Sequence, residues 1–169
     1  MKKTLLVALF ALVCGAMAYA QPRAIGANIG GGTGFSYQHG FGEANMLDID
    51  VHTSLLQAAR NWWGVGVHVT YDWIDPFGAK FPELEKGKFQ WAMGVGGAGG
   101  LYNFSPSVWY AGVAGHVGVA YDFWFPLELS IDWRPSIGLY NGGANTIDFN
   151  PWGLFEGLSL GVRYRFGQN

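Results

Sequence analysis

Between positions 63 and 73 the chain alternates without a break. Trp63, Val65, Val67, Val69, Tyr71 and Trp73 fall on one parity and Gly64, Gly66, His68, Thr70 and Asp72 on the other. A period of two residues puts successive side chains on opposite faces of a strand. Leu47, Ile49, Val51 and Leu55 repeat the pattern against Asp48, Asp50, His52 and Ser54. Leu127, Leu129, Ile131, Trp133, Ile137 and Leu139 stand against Glu128, Ser130, Asp132, Arg134 and Ser136. Leu158, Leu160, Val162, Tyr164 and Phe166 stand against Ser159, Gly161, Arg163 and Arg165. The alternation predicts strands over 46–55, 62–74, 88–102, 107–123, 127–140 and 158–166. Residues 24–41 also alternate, but they exceed the roughly 9 to 11 residues that a tilted membrane strand needs. The pattern leaves open whether this stretch is one strand or two. Dividing it at Gly30-Gly31-Gly32, where glycine tolerates a tight turn, brings the total to eight.

Alternation alone does not distinguish a soluble barrel, apolar inside, from a membrane barrel, apolar outside. Composition favours the second. Half of the 169 residues are hydrophobic and 17% aromatic, only 13% are charged, and 27 are glycine. Soluble domains carry about 25% charged residues. Along 89–102 and 109–125 the face opposite the large apolar residues includes Ala92, Gly94, Gly96, Ala98, Gly112, Ala114, Gly118 and Ala120. Such small residues suit the crowded inside of a narrow barrel. Trp62, Trp63, Trp73, Trp109 and the run from Tyr121 to Phe125 gather near strand ends, as interfacial girdles do.

Met1-Lys2-Lys3, the apolar stretch from Thr4 to Cys14 and Ala18-Tyr19-Ala20 read as a secretory signal peptide over 1–20. The barrel domain is then 21–169. Lys2 and Lys3 leave with the signal, so eight basic residues face twelve acidic ones, a net charge of minus four that argues against nucleic acid. Cys14 is the single cysteine, so the expected mature chain has no disulfide. Eight strands return both ends to the periplasmic side, with 56–61 an extracellular loop and 75–87 a long periplasmic connection.

Several stretches carry a family likeness: Ser36-Tyr37-Gln38-His39, the run from Trp124 to Pro135, and the ending from Gly161 to Phe166. With the signal before Gln21, these resemble the small eight-stranded outer-membrane β-barrel proteins of Gram-negative bacteria. The resemblance covers nearly the whole mature chain. It implies an all-β, antiparallel up-and-down transmembrane barrel in the outer membrane, in contact with outer-membrane lipid. It also implies passage through the barrel-assembly machinery, which reads a final aromatic in similar proteins. Here Phe166 is followed by Gly167-Gln168-Asn169, a departure from that ending.

The candidate chemistry is the set of charges of inward parity. Asp48, Asp50, Asp72, Asp122, Glu128 and Asp132 stand against Lys88, Arg134, Arg163 and Arg165, with His52, His68 and His116. An eight-stranded interior is just wide enough for side chains, so these groups are expected to pair and fill the lumen. A turn near 124–126 would set Asp122 across from Glu128, Gly118 from Asp132 and His116 from Arg134. The three histidines have no close ligand spacing, and no metal or cofactor is expected. Asp122 with Glu128 reads as solvated carboxylates before it reads as an acid–base pair. Gly94-Val95-Gly96-Gly97-Ala98-Gly99 matches the dinucleotide fingerprint in letters, but no helical period follows it. His39 is the one histidine of outward parity, and no outward serine matches its height.

The expectation is therefore an integral outer-membrane barrel with a structural or surface-interaction role and no catalysis. Its partner is unspecified; loop 141–157, with Asn145, Asp148, Trp152 and Phe155, is the place to look for one. The alternatives are an outer-membrane lipid-modifying enzyme, a narrow pore and a ligand-binding barrel.

Overall fold

The structure is a computed structural model that describes residues 21–53, 64–104, 107–141, 147–150 and 157–166. Its strands are β1 (Gln21–Gly30), β2 (Thr33–Gly40), β3 (Asn45–Thr53), β4 (Gly64–Ile74), β5 (Glu83–Leu84), β6 (Gly87–Phe104) and β7 (Ser107–Phe123). They continue with β8 (Leu127–Trp133), β9 (Ser136–Asn141), β10 (Ile147–Asn150) and β11 (Leu158–Arg165). Neighbours in sequence pair antiparallel around the molecule, and β11 closes on β1 from Ala24↔Arg165 to Gly30↔Ser159. β8 and β9 together form one stave, lying end to end along β7, and β10 and β11 form the next. The result is a closed, eight-stranded antiparallel barrel.

Residues 24–41 form two strands, turning at Gly31-Gly32. Both described chain ends and the connections 41–44, 75–86 and 124–126 lie at one end of the barrel, called here the terminal end. The long 75–86 connection is itself structured. It contains a 3-10 turn, Pro76–Gly78, and the short strand β5 folded back onto the start of β6. Trp91 on β6 reaches this segment, its indole N–H donating to the Ala79 carbonyl at 2.6 Å.

Pro135 interrupts the 127–140 strand, because proline has no N–H to give to a ladder. The Arg134 N–H turns to the Gly157 carbonyl and the Pro135 carbonyl accepts from Gly115. Beyond this break, Ile147–Asn150 pairs with β9. The stretch 141–157, read from sequence as one loop, therefore contains a strand. It went unnoticed because four residues are too few to establish a period.

The parity of burial is inverted relative to a soluble barrel. Inward positions hold Asp, Ser, Thr, Arg, Gly and Ala, and the buried apolar residues are small apart from Met46 and Ile74. The outer wall exposes Val65, Val67, Val69, Val95, Val117, Val119, Leu129, Ile131, Leu160 and Val162. At the terminal end this aliphatic band meets rings in contact. Tyr37, His39, Phe41, Tyr71 and Trp73 form one chain of neighbours, and Phe81, Phe89, Tyr121, Phe123 and Phe125 another.

Candidate functional site

Two guanidinium groups cross the lumen. Arg163, projecting from β11 and 1% exposed, donates to Ser36 Oγ at 2.8 Å, Asn28 Oδ1 at 3.0 Å, Glu128 Oε1 at 3.1 Å, Ser130 Oγ at 2.6 Å and Asp132 Oδ2 at 2.8 Å. Its fork thus ties β11 to β1, β2 and β8. Arg134, at the β8–β9 break, places Nε 2.6 Å from Asp50 Oδ2 and Nη2 3.3 Å from Asp48 Oδ1, both on β3. Its Nη1 donates to Ser159 Oγ at 3.2 Å. Asn28 donates to Asp50, and Gln38 donates to Asp48 Oδ2 at 3.2 Å. Arginine suits this place, because five fixed donors satisfy several buried acceptors at once.

His116 lies between two carboxylates. Its Nδ1 is 2.6 Å from Asp72 Oδ2 and its Nε2 is 3.2 Å from Asp132 Oδ1. An ionised carboxylate only accepts, so these three groups must share two protons for both contacts to be hydrogen bonds. The surroundings are cleared by glycine. A Cβ at Gly94 would stand 1.7 Å from Asp72 Oδ1, and one at Gly118 would stand 2.5 Å from Asp132 Oδ1. That is what Gly94, the first glycine of the 94–99 run, does here: β6 passes close behind the buried Asp72 carboxylate.

Of the thirteen charges and histidines of inward parity, all but Lys88 fall into three groups. Asp48, Asp50, Asp72, His116, Glu128, Asp132, Arg134 and Arg163 form the central cluster. Asp122 and Arg165 make a separate pair at 2.7 Å near the terminal end. His52 and His68 face the lumen at the far end, with ring centres 4.7 Å apart. Asp122 stands across from Glu128 and Gly118 from Asp132, as the turn at 124–126 requires. The pairs Val117↔Trp133 and Ala114↔Ser136 bracket His116 and Arg134, yet these two side chains bond other partners. Lys88 does not join the network: although it pairs in register with Asp122, its side chain is exposed at the terminal rim. Of the loop residues, Asn145, Trp152 and Phe155 lie outside the described residues, and Asp148 belongs to β10, paired with Tyr140.

No family model, curated protein or solved structure matches the chain.

Arg23 was missed by alternation. Its parity is outward, but the register shifts between Pro22 and Ala24, and this irregularity carries the side chain inside. There it donates to Gln90 Oε1 at 2.6 Å and approaches Glu128 Oε2 at 3.8 Å. Asn28, Ser36, Gln38, Ser130 and Ser159 were missed for a different reason. They are uncharged, and nothing in their spacing marks them as partners of an arginine.

Asp48, Asp72 and His116 bring one donor atom each to within 4.8 Å of one another, the geometry of a metal site. Each is already engaged, Asp48 by Arg134 and Gln38 and the other two by one another. On the terminal side of the cluster a cavity with room of about 20 Å³ for water-sized guests is lined by Arg23, Gln38, Gln90, Trp91 and Glu128. Gln38 Oε1 and Glu128 Oε2 are shielded there without a hydrogen-bond partner. One water would fit and could donate to either. His39, of outward parity but buried among its neighbours, bonds Tyr37 Oη through Nδ1 at 2.8 Å and packs edge-on to Phe41.

Proposed function

We propose that the chain is an integral outer-membrane β-barrel, exported by the signal peptide at 1–20, with a structural or surface-interaction role and no catalysis. The observation that carries this reading is the inverted distribution of side chains. An aliphatic band faces outward over the barrel wall while carboxylates and guanidiniums are buried inside. In water such a wall would be a large apolar patch with no partner, whereas in a bilayer it faces its proper solvent. The rings gathered at the terminal end support the same reading, since aromatic girdles sit at bilayer interfaces. Closure matters as well, because a barrel leaves no strand edge unpaired in lipid.

A narrow pore is disfavoured by Arg134 and Arg163, whose contacts with β1, β2, β3, β8 and β11 fill the cross-section. A lipid-modifying enzyme would need reactive groups on the outer wall. The one histidine of outward parity, His39, is buried and hydrogen-bonded to a tyrosine at the terminal end.

The mature protein, folded in detergent, is to be run on a cold gel with and without boiling and then placed in planar bilayers. A heat-shifted band without steady conductance is the expected result. Folding in plain buffer would overturn the membrane reading, and steady conductance the sealed lumen.

A further inference from the structure

The histidines at the far end stand apart from the ion-pair cluster. His52 on β3 and His68 on β4 occupy diagonal positions of one antiparallel ladder, since His52 lies opposite Gly66 and His68 opposite Asp50. Both are half-buried and their rings meet edge to face at 4.7 Å. Two imidazoles bound to one tetrahedral ion, with metal–nitrogen distances near 2.0 Å, place their ring centres about 5 Å apart. The observed separation of 4.7 Å is thus of the size that two imidazoles on one ion require.

Two further observations point the same way. His68 Nδ1 is shielded from solvent and has no hydrogen-bond partner among the described residues. The strand neighbours of the two histidines include Gly34, Gly66 and Ala98, which leave space around the rings.

We infer that His52 and His68 form a two-imidazole site for a divalent transition ion of the zinc, nickel or copper kind, entered from the far end of the barrel. Imidazole selects these ions over magnesium or calcium, which take oxygen. Water completes the coordination. The ion would bind between two neighbouring strands of the wall, separate from the Asp48–Asp72–His116 grouping.

The test uses the folded, metal-stripped barrel in detergent, titrated with ZnCl2 by calorimetry. One ion per chain is expected, with no binding of MgCl2. His52→Gln and His68→Gln should each abolish the saturable heat while keeping the heat-shifted gel band, and His39→Gln should bind as the parent does. With CuCl2, electron paramagnetic resonance should report two nitrogen ligands, a reading that needs no variant. Absence of zinc binding, binding that survives both substitutions, or a copper spectrum with fewer than two nitrogens would overturn the inference.

Discussion

Arg163 is the side chain on which most of the lumen converges. Truncating it to alanine would leave Asp132 and Glu128 buried without their strongest donor, and removing one partner of a buried pair costs about 3–5 kcal/mol. Urea unfolding of the barrel in lipid, followed by the heat-shifted band, should register a loss of that size for Arg163→Ala and a similar one for Arg134→Ala. Arg163→Lys should recover only part of it. A lysine keeps the charge, but it cannot reach Ser36 on β2, Asn28 on β1 and Asp132 on β8 together from one ammonium. Full recovery by lysine would mean that charge alone matters and the fork does not. His116 shows how far residue type can be read without structure. Its inward parity is plain from alternation, but its two partners, Asp72 and Asp132, come from strands 44 and 16 residues away. Nothing local selects them over Arg134, its neighbour in register.

At the scale of strands, alternation carried most of the information. In β4 the burial follows parity almost residue by residue, and in β11 it does so from Leu158 to Tyr164. Two features escaped it for physical reasons. A bulge reverses parity locally, which hid Arg23, and β10 pairs with β9 in a different register from β11 with β8, although β8 and β9 keep a single register along β7. The face assignment also has a measurable consequence. Ile131 on β8 is 57% exposed on the outer wall, while its neighbours Ser130 and Asp132 are buried. If that wall contacts hydrocarbon, Ile131→Arg should cost about 2–4 kcal/mol for folding into lipid vesicles, the range for a basic residue near the bilayer midplane. A change near zero would point to water on that face.

For the molecule as a whole, the interior contributes little hydrophobic stabilisation. Among the described residues, Met46, Ile74 and Ala92 make up its apolar cluster, at the terminal end. Cohesion must come from the continuous backbone ladder, the buried ion pairs and the solvent outside the wall. The closing ladder joins the first strand to the last: Ala24 pairs with Arg165, and the Phe166 N–H donates to the Arg23 carbonyl at 2.9 Å. The most distant residues of the described chain are thus immediate neighbours, and the cylinder cannot shut until the final strand has been made. Contacts of such long separation slow folding, so assembly should be governed by the arrival of β11. The same adjacency makes the order of the staves cyclic. A permuted chain that links the two ends by a short glycine-rich segment and begins in the 54–63 connection should build the same cylinder, checked by its heat-shifted band. Where the polypeptide starts would then be a matter of synthesis and export, not of architecture.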